Sequence, residues 1–249
     1  MSSPFNSDLS GSASLPSQIN LSDIMRRVYS WVCAGLVVCF GVSYFVGQTV
    51  INYINTGQNA ALAEFFTNPI VYIAAIVLYF VVAFALYPVI QRTSVAVGTV
   101  MYLLFTALFG FMISTVLVTY SISSIATAFV TAAAMFGIMS IIGFTTKVDL
   151  SKFGPILFMA LIGLIIGSLV NIFFLPASWL YWGLTYLGVI IFAGLVAYDT
   201  QWIARNAATI AEKGDEQAAG KIALIGAFRL FLDFVNLFLY LLRIFGRSR

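Results

Sequence analysis

From position 28 onward the chain alternates between long apolar stretches and short polar or charged breaks. The first stretch runs from about Val28 to Val46, inside a segment free of charge between Arg27 and Glu64. The second runs from about Ile70 to Ile90 and stops at Gln91-Arg92. Thr93 to Thr146 is uncharged and too long for one crossing, so it predicts two, turning at the polar run Thr119-Tyr120-Ser121 to Ser123-Ser124. A break with Lys147, Asp149 and Lys152 follows. Phe153 to Tyr198 then predicts two more crossings, divided at Pro176-Ala177-Ser178. A transmembrane helix takes about 20 apolar residues, and each of these six stretches supplies them. A seventh, about Ile222 to Phe245, is long enough but contains Arg229 and Asp233. A charge near mid-bilayer costs about 2.5–3.5 kcal/mol on insertion scales. Such a helix is stable only where other helices wrap its charged face, which places it at the centre of the bundle. The pattern predicts an all-α integral membrane protein of seven transmembrane helices, with a membrane domain over 22–249 and a tail over 1–21.

The tail is Ser-rich and broken by Pro4 and Pro16. It cannot bury a core and reads as a disordered cytoplasmic segment. It has neither the basic start nor the short apolar core of a signal peptide. Ser22 and Asp23 are candidates for the N-cap region of the first helix.

Composition narrows the chemistry. The 249 residues are 61% hydrophobic and only 8% charged, against roughly a quarter charged in soluble domains. The absence of histidine excludes a Ser-His-Asp or Cys-His triad and a His-ligated metal. Two cysteines, Cys33 and Cys39, exclude a Cys-rich zinc site. Six positions apart on one helix, they point about 120° away from each other, which excludes a disulfide between them. The net charge of +3 is not gathered into a basic patch, so no nucleic-acid partner is expected. It is distributed by loop instead. Arg26, Arg27, Arg92, Lys147, Lys152, Arg205, Lys213 and Lys221 all fall on one side, and the loops after spans one, three and five carry no Lys or Arg. The positive-inside rule puts that side, and the N-terminus, in the cytoplasm. A full seventh crossing sends Arg243, Arg247 and Arg249 outside, and a re-entrant helix keeps them inside; its length favours the full crossing.

The groups able to carry chemistry are few: Asp199, Asp233, Arg229 and, at a helix end, Arg92. Span six descends to the inner side and span seven rises from it, so Asp199 and Asp233 are able to meet in the inner half of the bilayer. Two carboxylates close together in low dielectric cannot both stay ionised without a cation; they share a proton and titrate as a unit. Protonated, the pair holds two helices together. Deprotonated, it repels or binds a hard cation, and oxygen ligands favour Ca2+ over transition metals. A purely structural reading stands beside this one. Arg229 and Asp233 have the i, i+4 spacing of an intrahelical ion pair, and Asp199 is within reach of Arg205. Asp233, Asn236 and Tyr240 share one face of span seven, and Asn171 near the outer end of span five is a further polar group for a cavity; such residues often serve as interhelical glue. Gly163 and Gly167 in span five, and Ala193, Gly194 and Ala197 in span six, suit close helix packing.

In Gly194–Gln201, with its Tyr198-Asp199, and in the run from Leu230 through Asp233, Asn236 and Tyr240 to Arg243, the chain resembles the transmembrane Bax inhibitor motif (Bax inhibitor-1-like) family, as a bacterial-type member. Met25-Arg26-Arg27-Val28-Tyr29 before span one extends the resemblance to everything beyond the tail. The resemblance implies a fold in which a central seventh helix is wrapped by two groups of three. It implies a pH-responsive Ca2+ leak of a bacterial inner membrane, closed by a pair of aspartates, here Asp199 and Asp233. It also implies a latching basic residue, which maps to Arg92 through Ala96-Val97-Gly98. The chain departs from the pattern in a long loop expected from about Ala207 to Gly220. It departs again in Arg229, one turn before Asp233, where a guanidinium would keep Asp233 ionised and blunt the response to protons.

The leading expectation is a pH-sensitive cation leak channel, with no enzymatic activity, no cofactor, and Ca2+ or H+ as the permeant ion in the lipid bilayer. The main alternative is a non-transporting regulator that binds another membrane protein. A lesser one is an intramembrane aspartyl protease, since two membrane aspartates supply an acid and a base. Against it, Leu230-Phe231-Leu232-Asp233 offers no glycine at which a substrate strand approaches.

Overall fold

The structure, a computed structural model, describes residues 19–247, so the tail expected over 1–21 lies almost wholly outside the described residues. The described chain forms α1 (Leu21–Thr56), α2 (Ala60–Thr67), α3 (Pro69–Arg92), α4 (Val95–Thr119), α5 (Ile122–Thr145), a 3-10 turn (Leu150–Phe153), α6 (Gly154–Phe173), α7 (Ser178–Lys213) and α8 (Glu216–Phe245). All of these except the short α2 and the 3-10 turn are long and apolar enough to cross a membrane, which makes seven spans among the described residues. The chain is an all-helical integral membrane protein.

Helix starts are set by short polar side chains that accept from otherwise unpaired N–H groups. Asn68 caps α3, with Pro69 behind it, through Ile70 N at 2.9 Å. Ser121 caps α5 through Ser124 N at 3.3 Å, and Asp215 caps α8 through Ala218 N at 2.9 Å. The first helix departs from expectation. It begins at Leu21 behind Asn20, whose side chain makes no capping bond, and Asp23 sits in its first turn facing Arg26 at 3.6 Å.

Helices α1, α3 and α4 form one flank, α5, α6 and α7 the other, and α8 runs between them as the most buried span. Each flank contains one crossing so close that a side chain would not fit. Gly110 of α4 lies against the backbone of Cys39 on α1, and Gly143 of α5 lies against the backbone of Ala197 on α7. Gly163, by contrast, faces open space, and only Gly167 of that pair meets α7, at Leu184. On the α4 side, Phe231 of α8 is fully buried among Tyr102, Phe105 and Phe109, with ring centroids 5.9–6.3 Å away.

The loop expected over Ala207–Gly220 is almost entirely helix. Helix α7 continues to Lys213, Gly214 closes it at φ 64°, a conformation glycine adopts without steric cost, and α8 starts at Glu216. Sequence polarity suggested a loop here, but the residues continue two helices beyond the apolar spans. Helix α8 crosses the whole bundle. At one end Arg27 bridges to Glu216 at 2.6 Å, and Lys221 Nζ donates to the Gln91 carbonyl at 2.8 Å. At the other, Arg247 pairs through its backbone with the α4–α5 turn, accepting from Ser121 N at 3.3 Å and donating to Ser124 Oγ at 3.1 Å. The helix is therefore not re-entrant.

Candidate functional site

The polar residues of the last two spans gather around one cavity of about 880 Å3, walled by α6, α7 and α8. Asp199 comes from α7 and Asp233 from α8; they are 6% and 5% exposed. The two carboxylates are close enough to interact with each other. Both face the cavity, together with Arg229, Asn236 and Tyr240. The juxtaposition follows from the short α7–α8 turn, which lays the inner half of α8 back along α7.

Arg229 does not form the intrahelical pair its spacing suggested. Its guanidinium reaches across to α7, where Nη1 lies 3.4 Å from Asp199 Oδ1, and no ion pair joins it to Asp233. It rests on the face of Trp202, 4.3 Å from the ring centroid. Trp202 is three positions after Asp199, so one face of α7 offers both the counter-charge and the aromatic platform. Asp199 has no competing partner in Arg205, which is bound to Asp149 at 2.5 Å. The ion pair lacks hydrogen-bond geometry. Asp199 Oδ1, Arg229 Nη1 and Asp233 Oδ2 are all buried without a hydrogen-bond partner. Buried polar atoms without partners are expensive, and these three point to water, an ion or a ligand that completes them.

Two expected site residues lie elsewhere. Arg92 is exposed in the last turn of α3 and enters no ion pair among the described residues. The guanidinium beside the aspartates is that of Arg229, and Arg92 does not line their cavity. Asn171 does not face the cavity. Its Nδ2 donates to the carbonyls of Leu175 and Ala177 at 3.0 and 3.1 Å, which folds the α6–α7 connection around Pro176. Asn236 lines the cavity while Nδ2 donates to the Leu232 carbonyl one turn back at 2.8 Å. Tyr240 stacks on Phe192 at 5.7 Å and carries Arg243 over its ring at 4.9 Å. Trp202 escaped the sequence reading, although an aromatic three positions after a membrane aspartate was a signal that could have found it.

Just inside the aspartates, α7 clamps the α5–α6 connection. Gln201 is buried and uses both ends of its amide: Nε2 donates to the Val148 carbonyl and Oε1 accepts from Leu150 N, each at 2.8 Å. One turn on, Arg205 holds Asp149. Hydrogen bonds from Ser151 and Arg205 lower the Asp149 carboxyl from 3.8 to about 2.

Among the described residues no group of three or more His, Cys, Asp or Glu gathers in a metal-binding arrangement. Ca2+ takes six to eight oxygen ligands. Two carboxylates alone supply fewer oxygens than that.

These features, six spans around a buried seventh that brings a second aspartate to the first, define a class of helical membrane proteins with an acidic centre. The family model described as Inhibitor of apoptosis-promoting Bax1 matches residues 21–249. The chain belongs to the Bax inhibitor-1 family. It is 41% identical over 229 residues to the Inner membrane protein YbhL of Escherichia coli K12, covering 92% of this chain and 93% of that protein. It is similar to a Deinococcus radiodurans protein, 40% identical over 226 residues and 90% of each chain. An uncharacterized membrane protein of Streptococcus pyogenes serotype M1 is 33% identical over 233 residues, covering 93% of this chain and 96% of that one.

Proposed function

We propose that the protein is a cation leak of the bacterial inner membrane, non-enzymatic, with Ca2+ as the permeant ion and Asp199 and Asp233 as a proton-controlled latch. The observation that carries this reading is the pair of buried carboxylates on two different helices, with unfilled acceptor positions facing one cavity. When the pair holds a proton the helices stay joined. When it is fully ionised the carboxylates repel, and a hard cation relieves the repulsion. Arg229 serves as a tethered cation on Asp199, so a permeating ion competes with it. The inner-membrane placement follows the name of the Escherichia coli relative.

The test is Ca2+ flux through protein reconstituted in liposomes, measured over a pH series. Flux is expected to rise with pH. Asp233→Asn, which cannot share a proton or ionise, is expected to flatten the pH response and lower the flux roughly tenfold, the scale of one lost charge-assisted contact. A variant that tracks wild type at every pH overturns the latch. Absence of flux from the pure protein, with one stoichiometric membrane-protein partner copurifying, favours the regulator instead. A protease is disfavoured by the site itself. Leu230 and Phe231 are fully buried in an unbroken helix and leave no room for an extended substrate beside Asp233.

A further inference from the structure

Helix α8 is buried along the part that faces the cavity except for one stripe. Phe228, Leu232, Asn236 and Tyr240, each four positions after the last, stay partly exposed, and Asp233, Phe234, Val235, Leu237 and Phe238 between them are buried. That spacing keeps the four on one face. They are uncovered because α6 leans on α7 and scarcely meets α8, which leaves the cavity as a slot between α6 and α8. Its far wall is apolar, with Leu161 and Leu164 from α6. The three polar atoms that make no hydrogen bond, Asp199 Oδ1, Asp233 Oδ2 and Arg229 Nη1, belong to residues at its inner end.

Depth decides what can enter. Asp199 lies 21 positions beyond Ser178, the first residue of α7, which is about 30 Å of helix, the thickness of the hydrocarbon core. The polar end of the slot therefore sits at the level of the inner-leaflet headgroups. The stripe from Phe228 to Tyr240 then rises about 18 Å into the apolar layer, the span of one leaflet. The charges are complementary in kind. With both carboxylates ionised, the pair and one guanidinium leave a net negative site able to accept hydrogen bonds, with one cationic donor beside it.

We propose that this slot is a binding site for one inner-leaflet phospholipid with a primary-amine headgroup. The ammonium donates to Asp199 and Asp233, the phosphate accepts from Arg229, and one acyl chain lies along the stripe towards Tyr240. An ammonium brings three donors to the unfilled carboxylate oxygens, and phosphate suits the guanidinium fork. A headgroup without an amine brings the phosphate charge to the carboxylates with nothing to offset it. The site stands whether or not the protein passes ions.

The test is native mass spectrometry of the full chain, equilibrated in detergent with equal amounts of phosphatidylethanolamine, phosphatidylcholine and phosphatidylglycerol of identical chains. One phosphatidylethanolamine per chain is expected to survive delipidation, favoured over phosphatidylglycerol by roughly tenfold. Phosphatidylcholine is expected between them, because its quaternary ammonium cannot donate. Asp233→Asn is expected to erase the preference, and Leu232→Trp, which fills the slot, to abolish retention. If Leu232→Trp does not fold, Leu161→Trp narrows the slot from the α6 wall. Retention of the three lipids in proportion to supply, preference for phosphatidylglycerol, or wild-type retention by a folded slot-filling variant each overturns the site.

Discussion

On the side of α8 that faces α4, Phe231 is shut in by Tyr102, Phe105 and Phe109. On the side that faces α6, Leu232, Asn236 and Tyr240 look into a slot of about 880 Å3. The two sides are adjacent residues of one helix, yet they do different work. Rings at 5–6 Å in edge-on contact supply dispersion and shape, and that matters in a bilayer, where lipid is as apolar as any side chain and burial alone drives little. The open side gives up that packing and gains space in which two carboxylates and a guanidinium can exist. Three of its buried polar atoms, Asp199 Oδ1, Arg229 Nη1 and Asp233 Oδ2, make no hydrogen bond within the protein. Stability is concentrated on one face of α8 and chemistry on the next.

Substitutions that exchange these properties test the contrast. Phe231→Ala empties the closed side and is expected to have the largest effect, about 3–5 kcal/mol of stability by analogy with buried aromatic truncations, read as a fall in melting temperature of the detergent-solubilised protein. Arg229→Leu removes the counter-charge of Asp199. Breaking a buried pair costs about 3–5 kcal/mol, but the Arg229 side chain is 34% exposed, so roughly 1–2 kcal/mol is expected after solvent screening. The sharper readout is function. Without the tethered cation, Ca2+ flux should rise and depend more steeply on pH. Leu232→Ala on the open side is expected to cost under about 1.5 kcal/mol, because the residue already borders a space and leaves little new cavity. A cost equal to that of Phe231→Ala would show the slot to be packed.

The smallest effect concerns the loop next to the open side. Asp149 titrates at about 2 in place of 3.8, so its contribution is present above 3.8 and is lost as pH falls through about 2. Hydrogen-exchange protection factors of the Asp149–Phe153 amides, referred to intrinsic exchange at each pH, should fall over that window and not between pH 4 and 7. In Arg205→Gln, which removes one of the bonds that lower Asp149, the loss of protection should begin at higher pH.

Much of this was legible along the chain. Charge-free stretches located six spans, and Arg229 with Asp233 in a seventh apolar run placed that one at the centre, because charges in hydrocarbon demand cover. The resemblance around Asp199 and Asp233 pointed to the pair that the fold brings together. Other readings parted from the structure for definable reasons. Ala207–Gly220 looked like a loop because it is polar, but polarity outside the membrane does not stop a helix whose residues favour one. Arg92 was placed by alignment through a short match, whereas the guanidinium that pairs with Asp199 is that of Arg229. Asn171 was given to a cavity by its depth alone, whereas its amide was needed by the carbonyls around Pro176.

Order along the chain thus carried the number of crossings, the central helix and the two acidic positions, because hydrophobic run length and the cost of a bare charge in lipid are properties of neighbouring residues. It could not carry the partner of Arg229, the platform beneath it, or the gap between α6 and α8. Those depend on how far apart helices distant in sequence come to rest. That spacing is set at contacts such as Gly143 on Ala197 and Gly167 on Leu184, where the size of one side chain fixes how closely two helices approach.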